Sequence, residues 1–455
     1  MTQDVAAVVL AAGLGTRMKS DRPKVLHELG GRPMLWWAVE AAQQAVAGGR
    51  VVVIIGEETL QAAEGLLGGQ VSLAVQLERL GTAHATLQAR GEISGGGLIL
   101  VTSADMPLLR VETLRALIDT QRRNAGPMTL LTTHTETPRG FGRLVRNASG
   151  EVSAIVEEVH ATPEQRLIRE VNVGAYCFRA DWLWTSLTEL PLSPKGEYYL
   201  TDLVERAVSG GQVVSVVTTD DVHEVIGINT RDHLAEAETA LRGRINRGWM
   251  LAGVTLQDPA TTYIGPQVTL GADTLVLANT HLEGKTTIGR RCRLGPGTII
   301  RDSRLGDGCA VELSVLEGAI LEDEVDIGPF AHLRPGSHLL RGVHLGNFGE
   351  VKDSTIGPGT KMGHFSYIGN AEIGADVNIG AGTITCNYDG EKKNPTTIED
   401  GAFIGSDTML VAPVRVGKRA RTGAGAVVNR DVPDDSVVVG MPARAIRRRK
   451  ARDGD

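Results

Sequence analysis

The chain has 455 residues, 42% of them hydrophobic and 22% charged, enough for two or three domains with substantial cores. Its 47 Lys and Arg against 54 Asp and Glu leave a net charge of −7, which argues against a general nucleic-acid binder. No run approaches the ~18 apolar residues of a membrane helix, and MTQDVAAVVLAAG lacks the layout of a signal peptide, so a soluble, cytoplasmic protein with no membrane contact is expected.

In chain order, the apolar runs VAAVVLAAG, VVVIIG (51–56), VSLAVQ (71–76), LILVTSAD (98–105) and MTLLTT (128–133) read as buried strands. Helical patterns such as PMLWWAVEAAQQAV separate them. Strands alternating with helices predict an α/β, Rossmann-like domain over residues 1–230, its ligands bound beyond the carboxyl ends of a parallel sheet. The loop after the first strand, Leu10-Ala-Ala-Gly-Leu-Gly-Thr-Arg-Met18, carries Gly13 and Gly15. It is neither a P-loop nor a dinucleotide G-x-G-x-x-G, because Met18 stands at the third glycine. Glycines here let backbone N–H groups approach a phosphate or a base edge, and Arg17 and Lys24 add cations where a triphosphate needs neutralising. The alternative is a plain turn. Asp105 closes the strand LILVTSAD ahead of Met106-Pro107. It reads either as an oxygen ligand for Mg²⁺ or as a helix N-cap or Asp-x-Pro turn.

Leu234, Ala237, Leu241 and Ile245 lie at helical spacing and predict a linker helix over 231–250, with Asn229 just before it. The remaining residues, 251–455, repeat every six: Ile264, Leu270, Val276, Leu282, Ile288, Leu294 and Ile300 share one register. After slips it returns at Ile327, Leu333, Leu339 and Leu345, and again at Ile398, Ile404, Leu410 and Val416. Neither a helix nor a free alternating strand produces a period of six; a hexapeptide parallel β-helix of roughly ten coils does. Its tight corners and narrow interior account for 56 glycines and only 4% aromatics. Between Ile379 and Ile398 the register is lost through AGTITCNYDGEKKNPTT, so a loop is expected to project there and to help build a site. His364, beside Gly363 at a turn, is either structural or a base that takes a proton near neutral pH. Arg334 and Lys352 read as phosphate contacts or as a solvated prism edge, and the run Arg447–Lys450 as a phosphate patch or a solvated terminal cluster. The four cysteines follow no metal or disulfide spacing.

The stretches LAAGLGTRMKSDRPK, TSADMPLL, GFGRLV, AIVEE, VNVGAY, KGEYYLTDLV and GINTR resemble the sugar-nucleotide pyrophosphorylase family. Joined to a hexapeptide half containing GHFSYIGNAEIGADVNIGAGTITCNYDG, nearly the whole chain resembles a bifunctional bacterial family. Its members combine an N-acetylglucosamine-1-phosphate uridylyltransferase with a glucosamine-1-phosphate acetyltransferase. The resemblance implies a left-handed β-helix, a homotrimer and Mg²⁺ as cofactor. It also implies acetyl-CoA, glucosamine 1-phosphate, UTP and N-acetylglucosamine 1-phosphate as partners, and a product used for cell-wall precursors.

Residue by residue, it implies that Leu10, Ala11, Ala12 and Gly13 hold the nucleoside, Arg17 the leaving pyrophosphate and Lys24 the phosphates. Gln76, Gly81 and Thr82 match uracil and ribose contacts. Gly142, Glu157 (Glu158 is adjacent) and Asn172 match sugar contacts, and Asp105 with Asn229 the Mg²⁺ pair. The stretch from Gly142 to Glu157 is one residue longer than usual, because NASGE widens a hairpin turn. In the second half His364 matches the general base, Arg334 and Lys352 the sugar-phosphate contacts, and Tyr367 and Asn378 the sugar contacts. Ala381, Asn387, Tyr388, Ser406 and Ala424 match the acetyl-CoA side, with the Ala381 N–H facing the oxyanion. Met441 stands where some relatives carry an arginine that touches coenzyme A, with Arg444 as substitute. The rival readings are another sugar-1-phosphate nucleotidyltransferase with a regulatory β-helix, and a non-enzymatic scaffold. His364 and the CNYDG loop discriminate against the first, which would have no reason to carry them; a scaffold would consume neither acetyl-CoA nor UTP.

Overall fold

The computed structural model describes residues 5–93, 95–194 and 196–440. They form two compact units that divide after Leu241, inside an α-helix spanning Arg231–Leu251. Among the described residues no helix is long and apolar enough to cross a membrane.

The first unit is built on a nine-stranded sheet. Its main path runs Val214–Thr219, Met128–His134, Glu170–Arg179, Leu98–Ser103, Val5–Ala11, Val51–Ile55 and Ser72–Val75. The central strand Val5–Ala11 pairs in parallel with Val51–Ile55 and Leu98–Ser103 and is buried on both faces. Val5, Ala7, Val9 and Ala11 join one core layer with Leu35, Val39 and Leu117, while Ala6 and Val8 join the other with Leu183, Leu203 and Val204. Burial on both faces is why the strand reads as an unbroken apolar run.

All five expected strands are present, but the sheet is not wholly parallel. Glu170–Arg179 runs antiparallel between Leu98–Ser103 and Met128–His134, and the hairpin Arg143–Arg146 with Val152–Val156 pairs onto it. Strand–helix alternation did not reveal this strand, because Gly174 (φ +87°) interrupts EVNVGAYCFR and the register shifts between Asn172 and Tyr176. Being antiparallel, it brings Asn172 to the edge where the parallel strands end.

The second unit is a parallel β-helix whose three sheets hold eleven, ten and nine short strands. The seven aliphatics from Ile264 to Ile300 are all buried in one continuous core. The slips are five-residue turns: Ile300 is followed by Leu305, yet Leu305 still stacks between Ile288 and Leu321. A second inward column, two residues before each aliphatic, carries small residues, buried Thr and Ser recurring among Ala, Val and Cys. Hydroxyls of this column, Thr396 apart, bond main-chain carbonyls at the corners, as in Thr280 to Leu277 O (2.8 Å), Ser354 to Lys352 O (2.7 Å) and Thr383 to Gly380 O (2.7 Å). Corner carbonyls that point inward are thereby satisfied without water.

The loss of register is narrower than expected. Ile384–Cys386 is still a strand, with Thr385 inward in place of an aliphatic and bonded to the Gly369 N–H (2.7 Å) and carbonyl (3.1 Å). The projecting loop begins only after Cys386 and is closed by a bridge between Tyr388 and Lys393.

Candidate functional site

In the first unit a cavity of about 520 Å³ opens at the carboxyl ends of the central strands. Every residue expected in the N-terminal site lines it except Arg17 and Gly142. Arg17 lies on the short 3-10 helix Thr16–Met18 and is exposed. The Gly142 carbonyl accepts from the Asn172 N–H (2.9 Å), so Gly142 backs the wall rather than forming it. The Asn172 side chain is fixed by donating to the Tyr176 hydroxyl (2.7 Å) and accepting from the Gly174 N–H (3.2 Å). Burial raises the Tyr176 phenol well above its usual range, keeping it a neutral hydrogen-bonding partner.

At one end of the cavity Lys24 Nζ donates to Asp105 Oδ2 (2.7 Å) and Asn229 Oδ1 (3.1 Å). Asn229 reaches Asp105 because the Ile228 N–H bonds the Asp105 carbonyl (2.8 Å). Gly15, in the left-handed region at φ +65°, makes room for the lysine stem, since a Cβ there would run into Lys24 Cβ. Burial by itself pushes the Asp105 carboxyl up. The charge of Lys24 and hydrogen bonds from Lys24 and Ser103 outweigh this and hold it below the usual Asp value. Two hard oxygens thus converge on one positive centre. One carboxylate plus one amide oxygen suits Mg²⁺, which completes its shell with water and phosphate. Among the described residues no cluster of three or more His, Cys, Asp or Glu offers an all-protein cage instead.

At the other end Gln76 is buried, its Nε2 bonded to the Gly81 carbonyl (3.2 Å) and 3.1 Å from His84 Nδ1. With its nitrogen engaged, the amide is left its oxygen as an acceptor, the complement of a uracil N–H donor. Thr82 Oγ1 accepts from the Leu200 N–H (3.0 Å), tying the segment around Tyr199 and Thr201 to the wall. Arg79, Tyr199 and Thr201 also line the cavity, and sequence reading missed them. Tyr199 and Thr201 lie within the quoted KGEYYLTDLV, and the Thr201 hydroxyl donates to Glu157 (3.3 Å); Arg79 carried no such signal.

In the β-helix, dispersed residues stack on one corner. His364, Ala381, Ser406 and Ala424 follow successive strands of the same sheet: Lys361–Met362, Asn378–Ile379, Phe403–Ile404 and Arg421–Thr422. Corner hydrogen bonds link the coils: Gly382 N to Phe365 O (2.7 Å), Asp407 N to Ala381 O (2.6 Å) and Gly425 N to Ser406 O (2.8 Å). His364 is exposed in the single chain.

Arg334, just past the strand His332–Leu333, and Lys352, at the end of the adjacent strand Gly349–Lys352, lie on the next face, and Lys393 of the projecting loop joins them. Contact with Lys393, and then the charge of Arg334, holds the Lys352 ammonium below its usual value. Arg334 bonds Glu350 (3.0 Å), and Asp353 lies 3.5 Å from Lys393 and 4.0 Å from Lys352. Three crowded cations are what a phosphate would relieve. Lys393 escaped sequence reading because its loop comes near Lys352 only in the fold.

Tyr367 and Asn387 meet over Gly369, where a Cβ would fall 2.5 Å from the Tyr367 hydroxyl and 2.7 Å from Asn387 Nδ2. Asn378 stands on the neighbouring sheet, and Tyr388 is exposed on the loop. Met441, Arg444 and the run Arg447–Lys450 lie outside the described residues.

Comparison with known proteins fits both units. Residues 7–251 match the family model described as MobA-like NTP transferase domain, and residues 395–430 match bacterial transferase hexapeptide (six repeats). The Bifunctional protein GlmU of Heliobacterium modesticaldum is 46% identical over 435 residues, 95% of this chain and 94% of that protein. The Geobacter metallireducens protein of the same name is 46% identical over 96% of each chain, and that of Streptococcus equi 45% identical over 97% and 96%. A Rossmann-like nucleotidyltransferase unit followed by a left-handed hexapeptide β-helix, matched along almost its full length, belongs to the bifunctional GlmU family.

Proposed function

We propose that the two units of this bifunctional transferase divide consecutive reactions. Members of its family make UDP-N-acetylglucosamine with a uridylyltransferase and a glucosamine-1-phosphate acetyltransferase activity, and this chain carries both. The reading of the first site rests on one observation: a single cavity gathers residues from Leu10 to Asn229 at the strand ends.

In the uridylyl reaction the sugar phosphate attacks the α-phosphorus of UTP in line and pyrophosphate leaves. Gln76 and the Gly13 loop hold the nucleoside, while Glu157 and Asn172 hold the sugar. Lys24, with Arg17 closing from the rim, neutralises the phosphates. Asp105 and Asn229 would hold Mg²⁺, which supplies further charge neutralisation at the phosphates when bound.

In the acetyl reaction Arg334, Lys352 and Lys393 grip the phosphate of glucosamine 1-phosphate, and Tyr367 and Asn378 orient its sugar. His364 accepts the amine proton as nitrogen attacks the thioester carbonyl. The Ala381 N–H faces the oxyanion and coenzyme A leaves as its thiol. Ser406, Ala424 and the Asn387-Tyr388 loop hold the acetyl-CoA.

We read the assembly as a homotrimer. Phe330, Phe348 and Phe365 are 53%, 58% and 56% exposed at the corner that carries His364, and the first two rings stack at 5.3 Å. Such an aromatic ridge calls for a second copy to cover it and complete the site. Working on UTP and acetyl-CoA puts the enzyme in the cytoplasm, feeding cell-wall precursors.

The test is a pair of variants assayed for both reactions. Asp105→Asn should lose uridylyl transfer at least about a hundredfold and keep acetyl transfer; His364→Asn should do the reverse. Loss of both reactions from either variant, in a folded protein, refutes independent sites.

A further inference from the structure

Arg79 lines the cavity beside Gln76 and the Gly13 loop. Its Nε donates to the Ala12 carbonyl (3.0 Å), and its Nη2 pairs with Glu58 (2.5 Å), which follows the strand Val51–Ile55. The guanidinium is planar and engaged through two different nitrogens, so its orientation is fixed. The peptide joining Ala12 to Gly13 is trans, which sets its C=O and N–H on opposite sides. A carbonyl held by Arg79 on one side therefore directs the Gly13 N–H to the other. Among the described residues that N–H has no protein acceptor, and Gly13 lines the same cavity. Leu14 and Gly13 are exposed and contribute no packing that would fix the peptide otherwise.

We infer that Arg79, braced by Glu58, is a positioning residue that aims the Gly13 N–H at a carbonyl oxygen of the pyrimidine ring. The inference rests on reading this cavity as the nucleoside site. Arg79 itself touches no reacting atom; it sets the angle of a donor whose energy depends steeply on alignment. Its loss therefore weakens UTP binding without slowing bound substrate.

The experiment compares Arg79→Met, Arg79→Lys and Gln76→Leu in the full chain. The readouts are kcat and KM for UTP and for N-acetylglucosamine 1-phosphate, with thermal melting as the check on folding. Arg79→Met is expected to raise the KM for UTP about tenfold, the worth of one well-aligned N–H···O hydrogen bond, with kcat within about threefold and the sugar-phosphate KM unmoved. Arg79→Lys, which keeps one donor but not the fork, should fall between. If Arg79→Met leaves the UTP KM unchanged while Gln76→Leu raises it, the role of Arg79 is overturned and the nucleoside site stands. If neither variant moves it, both fall. A parallel drop of kcat, both affinities and melting temperature marks Arg79 as merely structural and also overturns the inference.

Discussion

Replacing Gly369 with alanine should separate the two reactions without unfolding the chain. The added methyl would sit 2.5 Å from the Tyr367 hydroxyl and 2.7 Å from Asn387 Nδ2. Ordinary contacts need about 3.4 Å or more, so each group must retreat by about 1 Å. Both obstacles are the ends of side chains, and Gly369 has no left-handed backbone to strain, so the cost to the fold is about 1–2 kcal/mol. The cost to the site is larger, because a displacement of about 1 Å in positioning groups lowers turnover by about a hundredfold. Asn387 cannot adapt freely, since its Nδ2 is held by Asn370 Oδ1 (2.7 Å). The assay follows coenzyme A release from acetyl-CoA and glucosamine 1-phosphate. Pyrophosphate release from UTP and N-acetylglucosamine 1-phosphate is measured on the same preparation. The expected result is acetyl transfer reduced about a hundredfold with uridylyl transfer unchanged. Acetyl transfer within threefold of the parent would refute the placement of Tyr367 and Asn387 at the substrate.

Thr360 is fully buried, donates to the Gly374 carbonyl (2.8 Å) and accepts from the Val377 N–H (3.1 Å). Thr360→Val keeps the shape and orphans both groups, so the β-helix melting transition should fall by about 3–10 °C in calorimetry. Lys393→Met removes one of the three crowded cations and, if they grip the sugar phosphate as proposed, should raise the KM for glucosamine 1-phosphate about tenfold. It should also shift a pH profile: Lys352 loses its proton below the usual lysine value, so sugar-phosphate affinity in the parent declines early as pH rises. Without Lys393 that decline should move to higher pH. The stability sign agrees: a lysine whose value is depressed by folding favours the folded state increasingly as pH rises through that window.

Much of the fold was legible because it follows from local periodicity. Six-residue spacing places an aliphatic on every face of a triangular coil whatever lies elsewhere, and a strand buried on both sides reads as an apolar run. Asp105 and the glycine loop were legible for the same reason, as the residues where a central strand must end. Other features depend on partners distant in the chain. The antiparallel strand Glu170–Arg179 finds its place through neighbours on either side, and its glycine-broken pattern obscures it. Thr385 holds the coil together through a hydrogen bond to the coil below, which a search for aliphatics passes over. Lys24 meets Asn229 across 205 residues, and Lys393 crowds Lys352 only because the loop between two coils leans back over one face. Sequence by itself determined the coil, the sheet and the residue types fit for phosphate chemistry, since each is a repeating or strand-end property. Tertiary structure alone decided which of those residues share a cavity or a corner. Charge, hydrogen-bond angle and steric room act through space over a few ångströms, whatever the separation along the chain.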